Sequence, residues 1–145
     1  MKVYITFVII FNMFKNEFKI STKLEELDNI IKKIAKINGV IAIYLFGSQV
    51  TGRIHTFSDI DLCVILDKPN DETELDILGF SSDNLDVSTF HRLPIVIQYR
   101  IFKDGHPLFV KNKNLLARIK LYTLRNYLDF KPHLDRLCRE ALNVR

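Results

Sequence analysis

The spacing of apolar residues divides the first half of the chain into one helix and three strands. Thr22 and Glu25 have the spacing of a capping box, and apolar residues then recur every three or four positions. This pattern predicts an amphipathic helix over residues 22–37, which Asn38-Gly39 ends because glycine tolerates the left-handed conformation. Short runs of β-branched and aromatic residues predict buried strands over residues 40–46, 58–66 and 85–90.

The rest of the chain alternates polar, helical and extended patterns. They predict a loop over residues 67–82, with a short helix around residues 73–78, and a second helix over residues 94–104. A short strand over residues 106–110 and a C-terminal helical stretch over residues 113–142 follow. Pro94 suits the start of the second helix. Pro132 interrupts the last stretch, either as a kink or as the first turn of another helix.

Alternating helices and strands predict an α/β (α+β) fold, with a small mixed β-sheet flanked by helices. The length of 145 residues suits one domain. We divide the chain into an N-terminal arm or extra strand (residues 1–20), a core (residues 21–110) and a C-terminal helical segment (residues 111–145). Residues 3–14 are uncharged but too few to span a bilayer, and no cleavage site follows them, so we expect neither a membrane span nor a secretion signal. Met13 could be the natural start.

Composition and charge narrow the class of protein. Hydrophobic residues make up 48% of the chain and charged residues 26%, as in ordinary globular proteins. Cys63 and Cys138 are too few for a disulfide framework and lie in apolar periodic segments, so we expect buried thiols in a cytoplasmic protein. The net charge is +3 over residues 1–46, −6 over 47–95 and +7 over 96–145. An acidic middle suits a cation site near bound phosphates, and we expect no direct nucleic-acid binding.

Two aspartates precede the apolar part of the second strand. Because side chains alternate along a strand, Asp59 and Asp61 share one face while Ile60 and Leu62 point into the core. Two such carboxylates repel each other, and a divalent cation removes the repulsion. Magnesium prefers one or two carboxylates together with substrate phosphates. Asp86, at the start of the next strand, is the best candidate for a third ligand, ahead of three aspartates in loop-like surroundings, Asp71, Asp76 and Asp83.

A Gly-Ser pair supplies the other half of the predicted site. Gly47 and Ser48 follow the first strand. Glycine lets the backbone approach a phosphate, and a following helical turn presents free N–H groups to an anion. The ten residues between Ser48 and Asp59 allow a turn and entry into the next strand. We therefore expect phosphate donors and metal ligands to face each other across one cleft.

This arrangement of motifs resembles a known family. Gly-Ser, ten residues and then Asp-x-Asp on the next strand resembles the signature of the DNA polymerase β-like nucleotidyltransferases, and SDIDL is typical of their minimal (MNT) branch. Asp86-Val87 resembles the third acidic strand of the family, and residues 127–134 resemble the C-terminal helix of antitoxins paired with HEPN toxins. Many members carry Arg-Gly where this chain has Thr51-Gly52, and Arg53 is the candidate substitute for that arginine.

The resemblance implies a polymerase β-like core with C-terminal helices and transfer of AMP from ATP to a hydroxyl, with release of pyrophosphate. It implies that Asp59 and Asp61 hold two Mg²⁺ ions, and that Asp86 holds the ion that activates the hydroxyl and accepts its proton. The implied nucleotide-binding residues are Gly47, Ser48 and Arg53. In the antitoxin members the acceptor is a tyrosine of the HEPN toxin, so ATP and such a toxin are the expected partners.

Two other functions stay open at this point. The chain could neutralise a toxin by binding alone, which Thr51 in place of arginine and the basic, apolar C-terminal helices favour. It could instead modify a small molecule, but members that do so usually carry a sizeable acceptor domain, and only about fifty residues follow the third strand. We expect the C-terminal helices to pack on the sheet, to dock a helical partner, or to do both with different faces. Tyr122 and Tyr127 are expected to pack.

Overall fold

A four-stranded sheet with helices on both faces makes up the part of the chain that the computed structural model describes, residues 20–47 and 60–143. The strands are β1 (Val40–Phe46), β2 (Ile60–Leu66), β3 (Leu85–Thr89) and β4 (His106–Val110). The helices are α1 (Ile20–Ala35), α2 (Asp71–Leu78), α3 (Ile95–Asp104) and α4 (Lys113–Asn143), with a 3₁₀ turn over Phe90–Arg92. This architecture confirms the predicted α/β (α+β) fold with a mixed sheet.

The strand order is β3-β2-β1-β4. β1 runs antiparallel to both of its neighbours, whereas β2 and β3 are parallel. A parallel pair needs a crossover connection, and α2 provides it. Pro107 lies in the edge strand β4, where a proline removes no hydrogen bond from the middle of the sheet.

The core has one layer on each face of the sheet. Leu62 and Val64 of β2 pack into a cluster with α1 and α2, while Cys63 and Ile65 pack into a second cluster with α3 and α4. This explains why β2 is apolar without a break from Leu62 to Leu66, since both faces of the sheet are covered there. Burial also raises the pKa of the Cys63 thiol.

The observed helices and strands match the predicted ones, with bounds that differ by at most two residues. β1 has the predicted bounds, and α1 ends two residues earlier than predicted. The first two residues of the predicted second strand lie outside the described part of the chain. The third strand ends at Thr89, one residue short, because the chain turns at Phe90. The Gln98 amide holds this turn by donating hydrogen bonds to the Phe90 and Leu93 carbonyls, both at 3.0 Å.

The C-terminal segment departs most from expectation. α4 continues through Pro132 as one helix. Cys138 is exposed, so the prediction of a second buried thiol was wrong. The apolar periodicity continues past the sheet, but over residues 129–142 only Leu134 is even partly covered.

The two tyrosines of α4 differ in their surroundings. Tyr127 stacks on Tyr99 of α3 with ring centroids 3.9 Å apart, so the prediction that it packs is confirmed. Tyr122 is 68% exposed, so the same prediction was wrong for it. In the described ranges, no helix is long and apolar enough to cross a membrane.

Candidate functional site

Two of the predicted carboxylates meet at one end of the sheet. Asp61 in β2 is the register partner of Asp86 in β3. Neighbouring strands lie about 4.8 Å apart, and register partners in a parallel pair point to the same face. Asp61 is half-buried and Asp86 is exposed. The two carboxylates therefore lie side by side, Asp86 open to solvent and Asp61 partly covered, on the face that α3 and α4 cover further along.

Gly47 lies directly against this pair. Phe46 is opposite Asp61 in the antiparallel β1–β2 register, which places Gly47 beside the carboxylate. A Cβ atom at Gly47 would overlap Asp61 Oδ2 and come within 3.0 Å of its Cγ. The backbone at Gly47 also has a φ of +86°. Glycine thus meets two demands at this position, a left-handed turn and a close approach to an acidic side chain.

The Asp86 strand is held by two serines that the sequence did not single out. The Ser81 hydroxyl accepts a hydrogen bond from the Val87 N–H at 3.1 Å. Ser82 exchanges backbone hydrogen bonds with Leu85, at 2.8 and 3.1 Å. These contacts fix the residues on either side of Asp86 at the start of an edge strand. The sequence signal was only a Ser-Ser pair in a loop, which is too common to stand out.

The remaining predicted site residues fall into two groups. Ser48, Arg53 and Asp59 lie outside the described residues. Of the weaker acidic candidates, Asp71 binds Arg92 at 3.0 Å, Asp76 lies on α2, and Asp83 lies in the loop before β3. Within residues 20–47 and 60–143, no group of three or more His, Cys, Asp or Glu side chains could hold a metal ion.

The donor chemistry of the described pair fits a hard divalent cation. Asp61 and Asp86 offer carboxylate oxygens only, on one face and at one edge of the sheet. Mg²⁺ binds one or two carboxylates and completes its shell with water or phosphate oxygens. The open side at Asp86 leaves room for those further ligands, so these two residues could hold such an ion.

A lysine side chain lies on the same face of the sheet as the acidic pair. The Lys120 ammonium of α4 sits over the Tyr44 and Phe102 rings, at 5.8 and 5.6 Å from their centroids. Such contacts stabilise a lysine against an aromatic face by about 0.5–1 kcal/mol at exposed sites. A separate cleft, lined by Leu66, Phe90 and Phe130 among others, opens at the other end of β2 and includes neither Asp61 nor Asp86.

A buried ion-pair network lies at that other end of the sheet. Glu74 of α2 is 4% exposed and binds His91 Nε2 and Arg92 Nε, both at 2.6 Å. Burial alone would raise the pKa of Glu74, but the Arg92 hydrogen bond and the His91 charge outweigh burial and lower it. The same hydrogen bond raises the pKa of Arg92. This network joins the crossover helix to the turn after β3.

Comparisons with known proteins point to one family. The sequence model of the family described as Polymerase beta, Nucleotidyltransferase matches residues 28–114, more than half of the chain. A protein of Methanocaldococcus jannaschii, provisionally named a protein adenylyltransferase, is 34% identical over 70 residues, which cover 48% of this chain and 56% of the relative. The match therefore spans little more than half the length of that curated relative.

Solved structures with a similar fold include toxin–antitoxin assemblies. One is a chain of a toxin–antitoxin crystal structure with AMP-PNP, with a TM-score of 0.62, 21% identity, and coverage of 79% of this chain and 97% of that chain. Another belongs to the tri-AMPylated Shewanella oneidensis HEPN toxin in complex with MNT antitoxin, with a TM-score of 0.58, 16% identity, and coverage of 81% and 94%. At these identities the likeness is one of fold.

Proposed function

Because the chain belongs to the polymerase β-like nucleotidyltransferase family, we propose that it transfers AMP from ATP to a hydroxyl of a partner protein. The observation that carries this proposal is the contact of Gly47 with Asp61, together with the register pairing of Asp61 with Asp86. Family membership supports the reaction class, and the exposed acidic pair supports metal-dependent chemistry at this edge.

The proposed reaction assigns a task to each side chain. Asp61, Asp86 and Asp59 would hold Mg²⁺, and two such ions would supply positive charge that neutralises the phosphates and lowers the pKa of the attacking hydroxyl. Gly47, Ser48 and Arg53 bind the triphosphate. The acceptor oxygen bonds to the α-phosphorus, and the bond from that phosphorus to the β-phosphate oxygen breaks, so pyrophosphate leaves. Asp86 takes the hydroxyl proton, because its carboxylate is open to the solvent side from which an acceptor arrives.

We further propose that the partner is a HEPN toxin, that the acceptor is one of its tyrosines, and that this chain is its antitoxin. The name of the archaeal relative supports protein AMP transfer, and the AMPylated HEPN toxin in a structurally similar assembly supports the partner. Residues 21–110 form the proposed transferase core and residues 111–145 a helical segment beside it. A reaction that uses ATP and such a toxin belongs in the cytoplasm and needs no direct contact with nucleic acid.

A second candidate function is neutralisation of the toxin by binding alone. Exposed leucines on α4 favour it, since they offer a protein-binding surface that needs no chemistry. Thr51, where many family members carry arginine, favours it too.

Labelled ATP distinguishes these functions. We expect the wild-type chain with Mg²⁺ to label the HEPN-type protein encoded beside it on a tyrosine. Asp61→Asn combined with Asp86→Asn should reduce labelling by about 100-fold or more, since losing even an outer-shell partner of a metal costs 10–100-fold. Asp83→Asn, an exposed neighbour outside the pair, is the matched control and should label at the wild-type rate.

Each of the candidate functions predicts a different experimental outcome. Undiminished labelling by the double variant would refute the assignment of the carboxylates. Protection of cells by a double variant that transfers nothing would favour neutralisation by binding. Labelling of a small acceptor without any partner protein would favour small-molecule modification.

A further inference from the structure

The outward side of α4 carries a row of exposed leucines. Leu121, Leu124 and Leu128 are 68%, 41% and 55% exposed, and their spacing of three and four residues places them on one side of the helix. The opposite side of the same turns is covered, since Leu116 and Thr123 are 6% and 2% exposed. Packing on the sheet therefore uses only one of the two apolar faces of α4.

Two arginines lie along one edge of this row. Arg118 precedes Leu121 by three residues and Arg125 follows it by four, so both lie on the same side of the helix as the leucines. Both are exposed, and within the described ranges neither takes part in an ion pair. We call the five residues Arg118, Leu121, Leu124, Arg125 and Leu128 the leucine–arginine face. It is apolar along the leucines and positive along one edge.

We propose that the leucine–arginine face docks an amphipathic helix of the partner protein, one with acidic side chains beside its own apolar stripe. Leucines three and four residues apart form the ridges into which another helix packs. The positive charges of Arg118 and Arg125, neither of which forms an ion pair in the described ranges, favour acidic groups on that helix and speed its approach. This inference rests on the proposed function in one respect, that the partner is the protein that receives AMP.

A second copy of the chain is a poor occupant of the face. A symmetric pair would bring the same surface of both copies together. Two antiparallel α4 helices that cross next to Leu121 would then set Arg118 of one copy near Arg125 of the other. These like charges would repel each other and oppose association, whereas an acidic helix would neutralise them.

The location of the face suits an acceptor protein. Leu116 of α4 belongs to the same core cluster as Cys63 of β2. Asp61 precedes Cys63 by two residues and so points to that same side of the sheet. A protein held on α4 would thus lie on the side of the sheet that carries the Asp61–Asp86 pair.

Binding measurements with the purified HEPN-type protein test the proposal. We expect Leu121→Ser with Leu128→Ser, and separately Arg118→Glu with Arg125→Glu, to raise the Kd by about 10-fold or more. Leu75→Ser is the matched control: this leucine is 70% exposed but lies on α2, which packs on the other face of the sheet. It should leave the Kd unchanged. Salt should weaken wild-type binding more than binding by the Glu variant.

Several results would overturn the inference. Unchanged Kd values for both double variants would do so, and AMP transfer measured in parallel would then show whether the proposed function stands by itself. Self-association of the wild-type chain in sedimentation, lost in the Leu double variant, would assign the face to a second copy. Leucine-dependent binding to phosphatidylglycerol vesicles would assign it to a lipid surface. Weakened partner binding without AMP transfer would keep the docking face and refute the catalytic proposal.

Discussion

Gly47 joins two features of the candidate site, the end of β1 and the Asp61 carboxylate. The Asp61 carboxylate occupies the space that a side chain at position 47 would need, and the φ of +86° at Gly47 disfavours other residues even without that contact. The close approach brings the backbone after β1 next to a proposed metal ligand. A phosphate bound by that backbone would therefore lie within reach of the cation.

Gly39 provides a control for the role of Gly47, because its φ is +88° and a Cβ there would meet nothing within 4 Å. Each Gly→Ala change should reduce the free energy of unfolding by roughly 1–2 kcal/mol through left-handed backbone strain. Gly47→Ala should also slow AMP transfer, because the new Cβ displaces Asp61, whereas Gly39→Ala should not. Urea unfolding and the transfer rate measure the two effects. Equal transfer rates in the two variants would contradict the steric argument.

That Gly47, Asp61 and Asp86 lie close together could be predicted from the sequence. Side chains alternate between the two faces of a strand, and the order of the motifs along the chain restricts where each residue can lie. The exact pairing of Asp61 with Asp86 could not be predicted in the same way. The start of β3 is held by hydrogen bonds from Ser81 and Ser82 to the residues around Asp86, and those bonds depend on a loop conformation. Apolar patterning does not encode such contacts.

At the scale of elements, β1 was fully predictable, since VIAIYLF is short, β-branched and buried along almost its whole length. α4 was not. Proline usually breaks a helix because it lacks an N–H and its ring clashes with the preceding turn. Pro132 nevertheless stays inside α4, in a stretch that is exposed and has room to adjust.

α2 is tied to the turn after β3 by Glu74, and this contact should make stability depend on pH. The fold lowers the Glu74 pKa below its ordinary value of 4.5. Its carboxylate therefore stabilises the fold above that value, and the contribution is lost as pH falls through the folded pKa. Glu74→Gln should lower the urea midpoint most near neutral pH, and the difference from wild type should shrink in acid.

Glu72→Gln is the control for this effect, because Glu72 is an exposed carboxylate on the same helix. It should change the urea midpoint little at any pH. A stability loss for Glu74→Gln that stays constant from neutral to acid conditions would show that the lost contacts are not those of the charged carboxylate.

Over the whole molecule, acidic and basic residues are concentrated in different parts of the sequence. The net charge is −6 over residues 47–95, which include the Asp61–Asp86 edge, and +7 over residues 96–145, which include α4. The acidic edge lies on the same side of the sheet as the basic helix. A divalent cation at the edge would offset the charge of the two carboxylates and so allow a phosphate-bearing nucleotide to approach, while the basic helix suits an acidic partner.

Magnesium should consequently stabilise the folded chain. At ten times its Kd, a ligand specific for the folded state adds about 1.4 kcal/mol. For a chain of this size the Tm should rise by roughly 3–6 °C. Thermal unfolding with and without Mg²⁺ should show this rise in the wild type and in Asp83→Asn, but not in Asp61→Asn with Asp86→Asn. Equal rises in all three proteins would exclude the pair as the binding site.

The position of β1 between β2 and β4 also bears on how a newly made chain matures. Ala42 pairs with Ile65 in β2 and with Val110 in β4, which is much further along the sequence. Longer loops cost more entropy to close, and the N-terminal part leaves the ribosome first. We expect β1, β2 and β3 to assemble while β4 and α4 are still being synthesised. The acidic edge would then exist before the chain can hold a partner.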